Sequence, residues 1–182
     1  MASPQLTVQR IFSEPDLSGS APTALRFSPD GRRISYLKNS SDNIEQLDLW
    51  TYRVDNGQAS VLVESDSLRS DERILSDHEK AKRERQRITS SGIIEYYWSP
   101  VGDALIFPVD GNLFHYDLEA VGNPLRRLSD DSTFETDIQC SPQGKYVSFV
   151  RQQNIHVIEI GNDLAYRQLT FDGGDTVANG LA

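Results

Sequence analysis

The side chains best suited to chemistry form a cationic cluster in residues 76–88, which contain Arg83, Arg85 and Arg87. A guanidinium stays charged and presents planar donors, so it can hold a carboxylate or orient a peptide carbonyl without changing its protonation. Glu residues are interleaved with these cations. The cluster therefore suits a carboxylate or carbonyl ligand and is too small to grip a nucleic-acid duplex.

The same stretch is predicted to be a helix of about 12 residues, or three turns. Ser76 and Glu79 have the spacing of a capping box, in which each side chain accepts from the backbone N–H of the other residue. Ala81 is the only apolar residue between Leu75 and Ile88, so this helix has no apolar face to bury. We expect it to stand away from its domain. The alternative is a solvated helix stabilised by pairs such as Glu79 with Arg83, each worth about 0.2–0.5 kcal/mol.

The bulk properties indicate a soluble globular chain. It has 182 residues, 37% of them hydrophobic, and a net charge of −9, which argues against a nucleic-acid partner. Cys140 is the only cysteine, so no internal disulfide is possible. The sequence has no apolar run of membrane-spanning length, and residues 1–9 lack the features of a signal peptide.

The elements that must position the cluster are recognisable as a repeat. The pattern Ser-Pro-x-Gly followed by an apolar strand occurs at Ser28, Ser99 and Ser141. Pro presets the backbone of a turn and Gly permits a positive φ, so each motif predicts a tight turn between two strands. Second strands are predicted at 47–54, 112–118 and 154–160, and third strands at 61–63, 126–130 and 167–170. The last two motifs are about 40 residues apart, a period typical of a β-propeller blade.

One connection between repeats is much longer than the next. The interval from Ser28 to Ser99 exceeds that from Ser99 to Ser141, and the excess falls mainly in 64–92, which contains the predicted helix. Long connections in compact domains are usually functional or disordered. Propellers have about four to eight blades, whereas about three are found here. The predicted fold is therefore all-β: a partial β-propeller of about three blades, with one inserted α-helix near 76–88, forming the amino-terminal piece of a longer protein.

Several short motifs together carry a family resemblance. In chain order they are Leu17-Ser18-Gly19, the Ser-Pro-x-Gly turns, Leu47-Asp48-Leu49-Trp50, Glu79-Lys80, Arg83-Glu84-Arg85-Gln86-Arg87-Ile88, Gly92-Ile93-Ile94-Glu95-Tyr96 and Asp175-Thr176-Val177-Ala178-Asn179-Gly180-Leu181-Ala182. With them the chain resembles the N-terminal propeller of dipeptidyl peptidase IV-type serine peptidases, in the prolyl oligopeptidase family. The arginine-rich helix leading into Gly-Ile is the most specific of these motifs.

The resemblance implies a fold and a role for the whole chain. Residues 1–182 would be the N-terminal part of an eight-bladed propeller that caps an α/β-hydrolase domain, and that domain is absent here. Such proteins release N-terminal dipeptides with Pro or Ala in second position. No two of the 12 glycines are four residues apart, so the Gly-x-Ser-x-Gly elbow of the catalytic serine cannot occur in this chain.

The resemblance also implies how the propeller selects its substrate. An Arg of the inserted helix binds the substrate backbone carbonyl, and by motif position this is Arg87, with Arg85 as the alternative. A pair of Glu residues, expected a few residues beyond Ala182, holds the free α-amino group. No catalytic residue is expected in this chain.

Other candidate residues are given structural roles. The histidines lack ligand spacing, so no metal site is predicted. Of two acidic segments, the first lacks the alternating oxygen ligands of a calcium loop, and the second reads as a Gly-rich turn between strands. The tryptophans are expected in the blade core. The histidines are His78, His115 and His156. The acidic segments are, in order, Asp130-Asp131 and Asp172-Gly173-Gly174-Asp175, and the tryptophans are Trp50 and Trp98.

The expected partners are a peptide substrate with a free N-terminus and the missing C-terminal α/β-hydrolase domain. No cofactor, nucleic acid or membrane span is expected. A homodimeric full-length protein and the compartment, periplasmic or cytoplasmic, are left open. The alternative function is a non-catalytic β-propeller scaffold that makes protein–protein contacts through its charged helix.

Overall fold

Nearly all of the regular structure that can be described is β-strand, apart from a four-residue helix α1 (Val8–Ile11) and a 3₁₀ turn (Ser65–Leu68). The computed structural model describes residues 6–13, 17, 19–41, 43–68, 90–129, 135–161, 164–174 and 176–180. Within these ranges the all-β prediction is confirmed. The helix predicted at 76–88 lies outside them.

The strands form three antiparallel sheets of four consecutive strands, which we call blades 1, 2 and 3. Blade 1 contains β1 (Thr23–Phe27), β2 (Arg33–Asn39), β3 (Gln46–Arg53) and β4 (Ala59–Val63), and the short β5 (Ser91–Gly92) adds to β3 in parallel. Blade 2 contains β6 (Tyr97–Trp98), β7 (Ala104–Val109), β8 (Asn112–Asp117) and β9 (Leu125–Arg127). Blade 3 contains β10 (Thr136–Cys140), β11 (Tyr146–Arg151), β12 (Asn154–Glu159) and β13 (Tyr166–Gln168). Three sequential four-stranded sheets confirm the predicted blade repeat.

The predicted turns and second strands are confirmed nearly residue for residue. The glycines of the three Ser-Pro-x-Gly turns have φ values of 72°, 76° and 66°. The Gly31 and Gly144 N–H groups donate to the carbonyls of Ser28 and Ser141 at 2.9 and 2.8 Å. The second strands are β3, β8 and β12, with bounds that differ from the prediction by at most one residue.

The strands predicted at 126–130 and 167–170 are β9 and β13, the last strands of blades 2 and 3. Both end earlier than predicted, for the same reason. The Ser129 hydroxyl accepts from the Leu113 N–H at 2.8 Å, and the Thr170 hydroxyl accepts from the Ile155 N–H at 2.9 Å. A side-chain oxygen thus takes the position that a backbone carbonyl would hold in a continued ladder. The strands consequently end at Arg127 and Gln168.

The topology gives each blade two distinct ends. Because consecutive strands reverse direction, β4 ends, and β5 and β6 begin, at the end opposite the Ser-Pro-x-Gly turns. We call this the insertion end, since the connection through 69–89 leaves and returns there. At the other end Arg33 Nε donates to Asp103 Oδ2 at 3.0 Å, which joins blades 1 and 2.

Two apolar clusters fill the spaces between the blades. One lies between blades 1 and 2 and includes Leu37, Leu49 and Phe107; the other lies between blades 2 and 3 and includes Ile106 and Phe149. Successive residues of β7 point to opposite faces, and each face is covered by a neighbouring blade. All six residues of β7 are therefore buried.

The two tryptophans have different environments, and one expectation was wrong. Trp98 packs against the cluster between blades 1 and 2, as predicted. In the pairing of β2 with β3, Trp50 lies opposite Tyr36, and the adjacent pair Leu37 and Leu49 faces blade 2. Because successive side chains of a strand point to opposite faces of the sheet, Trp50 points to the face of blade 1 away from blade 2. It is half-buried there and stacks on Tyr36 at 6.3 Å between ring centroids.

A buried tyrosine connects blade 2 to blade 1. The Tyr96 hydroxyl donates to the Ala24 carbonyl at 2.5 Å and accepts from the Ser35 hydroxyl at 3.0 Å. Trp98 Nε1 donates to the same serine oxygen at 2.7 Å. Burial raises the pKa of Tyr96, which keeps the phenol protonated as a donor.

Tyr96→Phe should therefore destabilise the protein. It removes a buried hydroxyl with two partners, and we expect a loss of about 1–2 kcal/mol in the free energy of unfolding. Urea unfolding followed by tryptophan fluorescence measures it. Tyr52→Phe is the control, because Tyr52 is 37% exposed and surface substitutions change stability by no more than about 0.5 kcal/mol. Equal losses in both variants would contradict a role for the Tyr96 hydroxyl between the blades.

Candidate functional site

The predicted substrate-binding residues Arg87 and Arg85 lie outside the described residues. The structure does describe both flanks of segment 69–89, where the chain leaves and rejoins blade 1. We call this place the insertion junction and define it by four residues, Gln46, Asp48, Ser65 and Gly92. Its geometry fixes where the segment begins and ends.

The first flank is held by a buried carboxylate. After β4 the chain forms the 3₁₀ turn Ser65–Leu68. The Ser65 N–H and hydroxyl both donate to Asp48 Oδ1 at 2.9 Å, and Gln46 Nε2 donates to the Ser65 hydroxyl at 2.8 Å. The exposed fractions of Gln46, Asp48 and Ser65 are only 3%, 4% and 0%. A carboxylate at the start of a helical turn satisfies an N–H that lacks a partner within the turn.

The second flank adds to the same strand. The Ser91 N–H donates to the Glu45 carbonyl at 2.7 Å, and the Ile93 N–H donates to the Leu47 carbonyl at 3.0 Å. Ile93 is completely buried in the cluster between blades 1 and 2. The chain that returns from 69–89 is thus fixed by both backbone hydrogen bonds and a core side chain.

Gly92 is required where the two flanks meet. Its φ is +79°, and a methyl group on it would lie 2.5 Å from both the Leu47 carbonyl oxygen and the Ser65 hydroxyl oxygen. Only glycine combines this backbone conformation with so close an approach. The extra length was predicted to fall mainly in 64–92, and the described flanks of that range, the turn Ser65–Leu68 and the strand β5, are bonded to blade 1.

Comparison with known proteins places this fold in a family context. Residues 111–182 match the family model described as the dipeptidyl peptidase IV (DPP IV) N-terminal region. These residues are therefore similar to a DPP IV N-terminal region. The match begins in the turn between β7 and β8 and covers the rest of blade 2 and all of blade 3.

A solved structure with the same fold extends the likeness to blade 1. Dipeptidyl peptidase 4 from Porphyromonas gingivalis superposes with a TM-score of 0.50 at 21% identity, over 85% of this chain and 20% of that chain. At such identity the likeness shows the fold, and the chain spans about a fifth of that protein's length. The putative TolB from Agrobacterium tumefaciens has a TM-score of 0.47 at 16% identity, over 84% of this chain and 51% of that chain.

The two histidines that the structure describes lie in strands, as predicted. His115 is in β8, where burial lowers its pKa. His156 is in β12 and stacks between Phe149 and Tyr166, whose hydroxyl hydrogen-bonds its Nδ1. His78 lies outside the described ranges. Within those ranges no three His, Cys, Asp or Glu side chains are grouped to hold a metal ion.

The acidic segments contribute to turns where they can be described. Asp172 accepts from Asn179 Nδ2 at 2.9 Å, and the Gly173 N–H donates to Asn154 Oδ1 at 2.9 Å. Asp130, Asp131 and Asp175 lie outside the described residues. Among the residues that are described, no helix is long and apolar enough to cross a membrane.

Sequence reasoning missed two groups of buried polar residues. One is the insertion junction, where only Gly92 and Asp48 had been noted as parts of motifs. The other is a buried ion pair in blade 3 between Glu135 and Arg151, whose exposed fractions are 1% and 6%. Arg151 is the last residue of β11 and Glu135 directly precedes β10, so no local pattern distinguishes them from surface charges.

A polar cavity of about 600 Å³ lies at the end of blades 1 and 2 that carries the Ser-Pro-x-Gly turns, opposite the insertion end. Its lining includes Arg32, Arg53, Asp55 and Glu119, and Arg53 pairs with Asp55 at 2.6 Å. It is formed by the turns around the Arg33–Asp103 ion pair, far along the strands from the insertion junction. The cavity and the insertion junction therefore lie at different ends of the blades.

Gly92→Ala should be more destabilising than an alanine at a glycine with the same backbone conformation. Gly102 has φ +76° and open space around it, so Gly102→Ala should cost only the left-handed penalty of about 1–2 kcal/mol. Gly92→Ala adds overpacking against Leu47 and Ser65, about 1–3 kcal/mol more. The difference between their free energies of unfolding measures the close contact. Equal values would show that the junction relaxes without cost.

Proposed function

We propose that this chain is the substrate-binding and substrate-gating portion of a dipeptidyl-peptidase-like serine peptidase that releases N-terminal dipeptides with Pro or Ala in second position. The observation that carries the proposal is the match of residues 111–182 to the DPP IV N-terminal region. Cleavage is assigned to an α/β-hydrolase domain elsewhere in the complete protein. The propeller selects the peptide, and the hydrolase domain supplies the catalytic serine.

Arg87 is proposed to bind the substrate backbone carbonyl, with Arg85 as the alternative. The position of Gly92 supports this role, because Arg87 precedes it by only five positions in the sequence. A fully extended chain spans at most about 3.6 Å per residue, so the Arg87 Cα lies within about 18 Å of the Gly92 Cα. The proposal accordingly assigns carbonyl binding to the insertion end, where the chain rejoins blade 1 at Gly92.

The charges of the chain suit a peptide with a free N-terminus. The net charge is −9, and an acidic surface attracts a cationic α-amino group. Segment 69–89 differs, because its Lys and Arg side chains outnumber its Asp and Glu side chains. A guanidinium there can donate to a peptide carbonyl while the acidic surroundings favour the ammonium end. The ammonium itself is assigned to the Glu pair expected beyond Ala182.

Arg87→Ala in the complete protein should damage turnover far more than folding. Losing a charged hydrogen bond should weaken transition-state binding by about 1.5–3 kcal/mol, a fall of roughly tenfold to 150-fold in kcat/KM. Steady-state kinetics with a chromogenic dipeptide substrate carrying Pro in second position measure this fall. The free energy of unfolding should change by no more than about 0.5 kcal/mol, the range for surface substitutions.

Arg83→Ala is the matched control, one helical turn earlier in the sequence prediction, and it should cost much less. A loss for Arg85→Ala but not for Arg87→Ala would move the role by two residues. Wild-type kcat/KM in all three variants would remove the arginine from the proposal. Absence of any dipeptide release by the complete protein would favour the scaffold alternative instead.

A further inference from the structure

The hairpins of blades 2 and 3 make the same turn at the insertion end with very different residues. Asp110 and Gly111 join β7 to β8, and Gln152 and Gln153 join β11 to β12. All four residues have a positive φ, which is 47° and 73° in blade 2 and 48° and 58° in blade 3. Two successive positive φ values let a two-residue turn match the twist of its strands. The demand on the backbone is therefore the same in both blades.

The glutamine pair meets that demand at a cost. Glycine adopts a positive φ freely and aspartate tolerates it, whereas a longer side chain is strained there. Because blade 2 makes the same turn with Asp-Gly, hairpin geometry alone does not explain Gln-Gln in blade 3. Ala24 and Asp137 also have a positive φ, but they lie where the pairing of their strands is irregular, and β11 pairs with β12 without irregularity. Strained residues of this kind are concentrated at ligand-binding sites.

The strained turn is braced through its backbone, which leaves its side chains available. The Gln152 carbonyl accepts from Asn154 Nδ2 at 3.0 Å. The Gln153 carbonyl accepts from the Asn179 N–H at 2.9 Å, and a methyl group on Gly173 would lie 2.4 Å from the same oxygen. Gln152 is exposed and Gln153 is partly buried. Within the described residues, neither side-chain amide makes a hydrogen bond.

The chemistry and the position of the glutamine pair suit the backbone of a long peptide. A carboxamide carries two donors and one acceptor without charge, so it complements both the N–H and the C=O groups of a peptide. The turn belongs to blade 3, whereas the chain rejoins blade 1 at Gly92, also at the insertion end. Sheets that pack face to face lie about 10 Å apart. Two such spacings, about 20 Å, correspond to roughly six residues of extended peptide.

We propose that Gln152 and Gln153 form a further binding element, which holds the backbone of the substrate peptide beyond the dipeptide that is released. This inference rests on the proposed function, because it takes the substrate to be a peptide bound at the insertion end. The glutamines touch neither the reacting atoms nor the free α-amino group. They favour long peptides over short ones without reading their side chains.

The first test replaces both glutamines with methionine in the complete protein. Methionine is unbranched and close to glutamine in length, so Gln152→Met with Gln153→Met keeps the strain and removes the amides. The substrate is an octapeptide with a free N-terminus, Pro in second position and no charged side chain. The measurement is the ratio of its kcat/KM to that of the chromogenic dipeptide substrate. This ratio should fall by about threefold to tenfold, through KM rather than kcat, because neutral hydrogen bonds to the bound peptide are lost.

The second test gives blade 3 a relaxed turn. Gln152→Asn with Gln153→Gly introduces the pair that such hairpins favour most. The melting temperature should rise because the strain is relieved, while the ratio falls as in the methionine variant. A purely structural role would instead make stability and activity change in the same direction.

Asp110→Asn is the matched control, because it changes the equivalent turn of blade 2 and should leave the ratio unchanged. An unchanged ratio in both glutamine variants would overturn the inference. A lower melting temperature of the Asn-Gly variant, or an equal fall of the ratio in Asp110→Asn, would overturn it too. In each of these cases, normal cleavage of the dipeptide substrate would leave the proposed function intact.

If the wild type releases no dipeptide, the proposed function fails, and peptide binding decides the role of the glutamines. Fluorescence anisotropy of the same octapeptide, labelled at its C-terminus, measures Kd. A Kd about threefold to tenfold higher in the methionine variant would support the binding element. Equal Kd values, or no binding by the wild type, would overturn it.

Discussion

Blade 2 has both faces covered, because blade 1 packs on one and blade 3 on the other. This double burial is the constraint on which the rest of the structure depends. It accounts for the fully buried β7, whose alternate side chains enter two different clusters. Because the space between the blades is buried, a polar group there needs a hydrogen-bond partner. The Tyr96 hydroxyl, for example, bonds to the Ala24 carbonyl and the Ser35 hydroxyl.

The connection between blades 1 and 2 must satisfy this packing and still accommodate segment 69–89. The chain does so by placing both flanks on the first half of β3. Backbone hydrogen bonds to Glu45 and Leu47 hold the returning flank, and the buried Asp48 holds the departing one. Ile93 then enters the core, so blade 2 begins from a fixed point. The same few residues thus hold both described flanks of the connection and the start of the blade interface.

The two ends of the blades have different chemistry. The end with the Ser-Pro-x-Gly turns carries the Arg33–Asp103 ion pair and the polar cavity. The insertion end carries the flanks of the arginine-rich segment, and the proposed recognition of a peptide belongs there. Separate ends allow the three described blades to keep the same turn geometry while the connection between blades 1 and 2 is longer than the connection between blades 2 and 3.

The sequence by itself determined the blade repeat, its strands and the family resemblance, because these depend on local chemistry. A Ser-Pro-x-Gly turn forms from the preferences of Pro and Gly within a single short motif. The regular recurrence of that motif is visible in the sequence without any contact between blades. The sequence also assigned the extra length between the first two repeats to an insertion. The roles of Arg87 and Arg85 remain proposals that follow from the motif.

Only the tertiary structure decided which residues support these elements. Asp48 reads as one member of an alternating strand, yet it is buried because Ser65, distant in the sequence, packs over it. Gly92 reads as part of a dipeptide motif, yet its need for glycine comes from the Leu47 carbonyl, on a strand that precedes the whole insertion. Trp50 was expected in the core, but the strand register turned it to the other face of blade 1. Each outcome depends on the pairing of segments distant in sequence, which side-chain type and spacing alone do not specify.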